Sequence, residues 1–99
     1  MSGLAGPERE AGEAPELPEW GSWIRFERVV PEENRHREYA IAIRQDLFGE
    51  WTLVCTWGRI GGQHRMKVAS FPTREDALSL ANHLARRRLA RGYHVASFE

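Results

Sequence analysis

Residues 51–63 read Trp51-Thr52-Leu53-Val54-Cys55-Thr56-Trp57-Gly58-Arg59-Ile60-Gly61-Gly62-Gln63, and this stretch decides the fold. From Trp51 to Trp57 the side chains alternate at period two. Trp51, Leu53, Cys55 and Trp57 fall on one side, with Thr52, Val54 and Thr56 on the other. That period, in β-branched and aromatic company, predicts a strand with one face on a core. Gly58 and the pair Gly61-Gly62 then punctuate a turn.

Working outward, Glu38 to Arg44 places Tyr39, Ile41 and Ile43 on one face of an earlier strand. Asp46-Leu47-Phe48-Gly49-Glu50 reads as the hairpin loop between the two, with Gly49 able to take positive φ. Before them, Trp23 to Val30 is an apolar, β-branched stretch ended by Pro31, and Trp20 and Trp23 read as anchors that start the fold. After the glycine turn, Met66 and Val68 alternate with Arg65 and Lys67 in a strand reaching Phe71. The strands predict an antiparallel meander.

A helix follows. Thr73 with Asp76 three residues on has the pattern of a capping box. Glu75 and Asp76 in the first turn, and Arg86, Arg87 and Arg88 in the last, suit the helix dipole, and Gly92 marks the stop. Ala77, Leu80, Ala81, Leu84, Ala85 and Leu89 form its apolar stripe. The fold class is therefore α+β, a small antiparallel sheet of about four to five strands with one C-terminal α-helix packed on it. Arg88 falls near the middle of the stripe, about 20° from Ala81 on a helical wheel. A guanidinium aimed at the core must snorkel, pair with an acid or meet a ligand anion.

The chain has 99 residues, 41% hydrophobic and 28% charged, which places it among globular rather than disordered proteins. No run approaches the ~18 apolar residues of a membrane span. Residues 1–19 hold five Glu against one Arg, with three Pro and three Gly. They read as a disordered acidic tail without the apolar core of a secretory signal, leaving 20–99 as the folded domain. The single cysteine, Cys55, has no internal partner, and the combination points to the cytoplasm. A chain this short leaves little room for an enclosed substrate cavity, which favours a binding module over an enzyme. His36, His64, His83 and His94 are scattered without zinc-ligand spacing, and no nucleophile elbow or Walker-type phosphate loop occurs. Catalytic residues, metal, cofactor and small-molecule substrate are accordingly not expected.

The net charge of zero hides an asymmetry. The tail is net −4, whereas residues 57–98 carry Arg59, Arg65, Lys67, Arg74, Arg86, Arg87, Arg88 and Arg91 against only Glu75 and Asp76. A basic half suits an anionic partner, for which the acidic tail would compete.

Trp57-Gly58-Arg59 followed by Ile60-Gly61-Gly62-Gln63 resembles the signature of the WGR domain family. Arg37-Glu38-Tyr39 resembles the family's N-K-x-Y entry to the second strand, with departures at Arg37 and Glu38. Trp51 and Leu53 precede the signature, and Phe71, Ala77 and Leu84 follow it, in the family's order. Arg88 stands where the family has a basic residue, and Tyr93 where it has a tryptophan. The resemblance covers residues 25–94. It implies a compact sheet with one helix, and binding to nucleic acid, especially DNA ends and breaks. WGR domains occur in DNA-damage-responsive poly(ADP-ribose) polymerases and, in bacteria, as separate small proteins or fused to other domains. In the polymerases the signature Trp lies against the sugar of a terminal nucleotide, and the signature Arg meets phosphate or a neighbouring domain. Carried across, these roles fall to Trp57 and Arg59.

The residue chemistry supports the same assignment. An indole face offers about 1–3 kcal/mol per stacked base without regard to sequence. Gly58 removes bulk that would hold a nucleic-acid backbone away, and the Arg59 fork matches phosphate oxygens. Arg65 and Lys67, opposite Met66 and Val68, extend the basic surface, and Arg88, Arg91 and Tyr93 complete the expected nucleic-acid-binding set. No base-edge code is apparent, so structure-selective binding at DNA ends, nicks or gaps is expected. Other readings stand beside it. Trp57 continues the Trp51-Leu53-Cys55 face and could be core, and Arg59 could pair with Asp46 or Glu50. The same Trp and Arg would also serve a protein–protein adaptor or an RNA binder.

Overall fold

The structure, a computed structural model, describes residues 16–99. The tail expected over 1–19 lies outside the described residues as far as residue 15. Five strands form one antiparallel sheet: β1 (Trp23–Val30), β2 (Arg35–Gln45), β3 (Trp51–Arg59), β4 (His64–Phe71) and β5 (His94–Phe98), in the order β4-β3-β2-β1-β5. One helix, α1 (Arg74–Ala90), packs on one face. It is too short and too polar to cross a membrane.

The first four strands are a meander, so the chain leaves β4 at one edge and must re-enter beside β1 at the other. The 17 residues of α1 reach about 25 Å, enough to recross four strands spaced ~4.8 Å apart. Thr73 caps its start, the hydroxyl accepting from the Asp76 amide at 3.1 Å. Its end closes on Gly92 at φ 90°, with the Gly92 amide donating to the Leu89 carbonyl (3.1 Å) and the Tyr93 amide to that of Arg88 (3.0 Å). Gly49 and Gly61, in the two hairpin turns, also take positive φ.

Ile24, Phe26 and Ile41 are fully buried beneath α1, joined by Tyr39, Ile43, Leu53 and Cys55. The helix meets them through Ala77, Ala81 and Ala85, each at 0% exposure, and Leu89. The apolar stripe is thus rotated from its expected centre. Small alanines let the helix axis approach the sheet, while Leu80 is exposed and Leu84 half-buried on one flank. On the other flank Leu78 and Leu17 pack against the core, the Trp20 indole N–H donates to Asn82 Oδ1 (3.0 Å), and Arg74 Nη2 donates to the Gly21 carbonyl (3.2 Å). The segment before β1 therefore covers the β1 side of α1. The β4 side remains open as a cleft of about 430 Å³.

Register decides which side chains reach that open side. Tyr39 faces Trp57 and Ile41 faces Cys55 across β2–β3, and Trp57 faces Arg65 and Cys55 faces Lys67 across β3–β4. Facing residues share a sheet face, so Arg65 and Lys67 stand on the helix side with Trp57.

Gly58 is demanded by the chain's own hairpin. A Cβ there would overlap the Gln63 carbonyl oxygen and lie 3.1 Å from His64 Cα. The space on that side, expected to admit a nucleic-acid backbone, is filled by the protein. Gly58→Ala should therefore lower stability by about 1–3 kcal/mol, read as a reduced thermal midpoint. An unchanged midpoint would mean that the β3–β4 turn yields without cost.

Candidate functional site

At the end of the sheet where β3 turns into β4, a ladder of rings and charge crosses three elements. The Trp57 ring stacks on Tyr39 with centroids 6.2 Å apart and planes 23° from parallel. The Arg88 guanidinium, from the last turns of α1, lies 4.4 Å from the Tyr39 centroid and 5.5 Å from that of Tyr93. Where the sequence offered snorkelling, an acid partner or a ligand anion, the structure instead rests the charge against two π faces. Among the described residues no carboxylate pairs with Arg88, and its Nε is buried without a hydrogen-bond partner.

Burial fixes the protonation of this ladder. Desolvation, and then the neighbouring Cys55 sulfur, push the Tyr39 hydroxyl up to about 12, so it is neutral at any physiological pH. Desolvation also raises the Cys55 thiol, which makes it a packing group rather than a nucleophile.

Trp57 is half-buried: Tyr39 backs the indole, which packs against the core on one side and lines the open cleft on the other. Arg59 is exposed at the end of β3. It pairs with neither Asp46 nor Glu50, which belong to the hairpin at the far end of the strands. Its Nη1 donates to the Asn34 carbonyl (3.1 Å) and its Nη2 to Asn34 Oδ1 (3.3 Å). Asn34 sits in the left-handed region, φ 54° and ψ 38°, at the end of a 3-10 turn over Pro31–Glu33. A proline three residues before an asparagine hints at such a turn. That the turn lies beside Arg59 follows only from the β2–β3 register.

Lys67 and Arg88 stand on the cleft, whose walls include Leu80 and Leu84 and whose floor includes Leu53 and Cys55. Arg65 is exposed across from Trp57, Arg91 is exposed at the C-cap of α1, and Tyr93 is half-buried. At this end of the sheet Glu33, in the 3-10 turn next to Asn34, pairs with Arg35 (2.9 Å), and two further acids face away from the helix. Glu27 and Glu38 lie on the opposite face, where Arg25 bridges them, and His64 Nε2 lies 2.8 Å from Glu38 Oε2. The helix-side surface around Trp57 is thereby left basic. Chemically, the arrangement offers a braced aromatic edge among guanidinium and ammonium donors.

The model of the WGR domain family matches residues 23–99 of this chain. A curated relative, the uncharacterized protein y4dW of Sinorhizobium fredii (strain NBRC 101917 / NGR234), is 43% identical over 67 residues, covering 68% of this chain and 33% of that protein. The matched part of the chain thus spans about a third of the relative's length. No solved structure matches.

Proposed function

The chain belongs to the WGR domain family, whose members are nucleic-acid-binding modules, and on that premise we propose that it binds DNA at ends, nicks or gaps without catalysing a reaction. One observation carries the reading: the Trp57 ring is braced by Tyr39, itself covered by the Arg88 guanidinium, at a sheet end where Glu27 and Glu38 are turned to the other face. A braced ring loses little freedom on binding, so most of its stacking energy reaches the complex. Interrupted DNA exposes what intact duplex hides, a terminal sugar and base. Trp57 would lie against that sugar. Arg59, Arg65, Lys67, Arg88 and Arg91 would take the flanking phosphates, with Tyr93 alongside. Such contacts read backbone and shape, so little sequence preference is expected. A reducing cytoplasm suits the free Cys55 thiol.

The Asn34 tether bears on Arg59 directly. Two of the five guanidinium N–H groups are engaged, which orients the fork and leaves other donors for a phosphate. Arg59→Ala should weaken binding to nicked duplex about tenfold and make the log–log salt slope shallower by about 0.9, the value of one lost phosphate contact. An unaltered slope would contradict the phosphate role. A slope near zero in the unsubstituted chain would favour the adaptor reading.

A further inference from the structure

The hairpin tip between β2 and β3 holds the two most exposed large apolar side chains among the described residues, Leu47 at 99% and Phe48 at 91%. They are not carried on a slack loop. Asp46 Oδ1 accepts from the Phe48 amide (2.8 Å) and the Glu50 amide (2.9 Å), the Asp46 amide donates to the Glu50 carbonyl (2.8 Å), and Gln45 Nε2 donates to the Gly49 carbonyl (3.2 Å). The tip is a built apolar peg flanked by two carboxylates, Asp46 and Glu50. Holding such groups in water opposes the hydrophobic effect, and neither side chain is part of this chain's own core.

The same chain carries a surface of the complementary kind. The cleft beside α1 encloses about 430 Å³, within the range that seats a compact apolar ligand, and it is walled by Trp57, Leu80 and Leu84 with Lys67 and Arg88 on it. Among the described residues no carboxylate lines it. An apolar peg between two acids matches an apolar cleft between two cations in character and in sign of charge.

We propose that the Leu47–Phe48 peg of one copy docks in the α1–β4 cleft of a second copy. The two surfaces differ, so the contact is heterologous and each docked pair keeps one unused peg and one unused cleft. Its small area makes it a weak association, of the order of 0.1–1 mM.

Sedimentation velocity of the full chain without nucleic acid tests this independently of the function proposed above. Over roughly 0.02–1 mM the sedimentation coefficient should climb with concentration and reverse on dilution. The double variant Leu47→Ser/Phe48→Ser, and separately Lys67→Glu, should each weaken association at least about tenfold. All three positions are exposed, so the thermal midpoint should hold; if Lys67→Glu melts early, Leu80→Glu takes its place. Mixing the peg variant with the cleft variant supplies one good cleft and one good peg, and should give 1:1 pairs that grow no further. A sedimentation coefficient independent of concentration would overturn the proposal. So would association that survives both variants, or a mixture no more associated than its parts.

Discussion

Ala81→Asp is expected to abolish cooperative folding. Ala81 is at 0% exposure in the middle of the alanine stripe, over a sheet face made of Ile24, Phe26 and Ile41. A carboxylate there would lose its hydration and find only hydrocarbon, at a cost of several kcal/mol. Small domains hold about 5–15 kcal/mol in total, and one this small sits toward the low end. Far-UV circular dichroism against temperature should show a sigmoidal transition for the unsubstituted chain and none for the variant. Leu84→Asp sharpens the test. Sequence periodicity alone ranks Leu84 with the core, yet it is half-buried on the cleft wall. That variant should fold with a lowered midpoint. The opposite ranking would mean that α1 is rotated toward its leucines.

Trp57→Ala should weaken binding to interrupted DNA by about 1–3 kcal/mol, roughly 5- to 150-fold, by removing the stacking surface. The indole also covers Tyr39, so some stability goes with it, but the largest fully buried side chains, Ile24, Phe26 and Ile41, are untouched. The variant should keep a cooperative melt at a reduced temperature, and Trp57→Phe should recover part of both losses. A Trp57→Ala chain that folds and binds as tightly as before would remove the indole from the binding surface.

The fold was legible where burial imposes a period. The alternation of Tyr39-Ile41-Ile43 and of Leu53-Cys55-Trp57 survives in β2 and β3 because both strands lie inside the sheet with one face covered. β5 is different. It has five residues, pairs only with β1, buries none of its side chains fully, and carries Ala96 as an extra residue between the pairs Arg25–Ser97 and Phe26–Val95, so no buried apolar period marks it. The helix length and caps were also readable, since Thr73 and Gly92 act locally. Its rotation was not, because a 3.6-residue period defines a stripe without saying whether alanine or leucine occupies the centre. Trp57, Arg59 and Arg88 could be named from type and spacing. What each touches could not. The Tyr39 backing, the Asn34 tether and the crowding at Gly58 all arise from strand register, which brings together residues up to 25 apart.

The claim beneath all of this is that Trp57 and the cations around it recognise a break in a DNA strand. The most direct measurement uses a duplex closed at both ends by hairpins, unbroken or with one nick, titrated against the unsubstituted chain and Trp57→Ala at a single salt concentration. The nick should raise affinity for the unsubstituted chain at least about tenfold, and Trp57→Ala should lose most of that gain while retaining its weaker hold on the unbroken duplex. Equal affinity for the unbroken and nicked duplexes, or a gain that survives the loss of the indole, would contradict it.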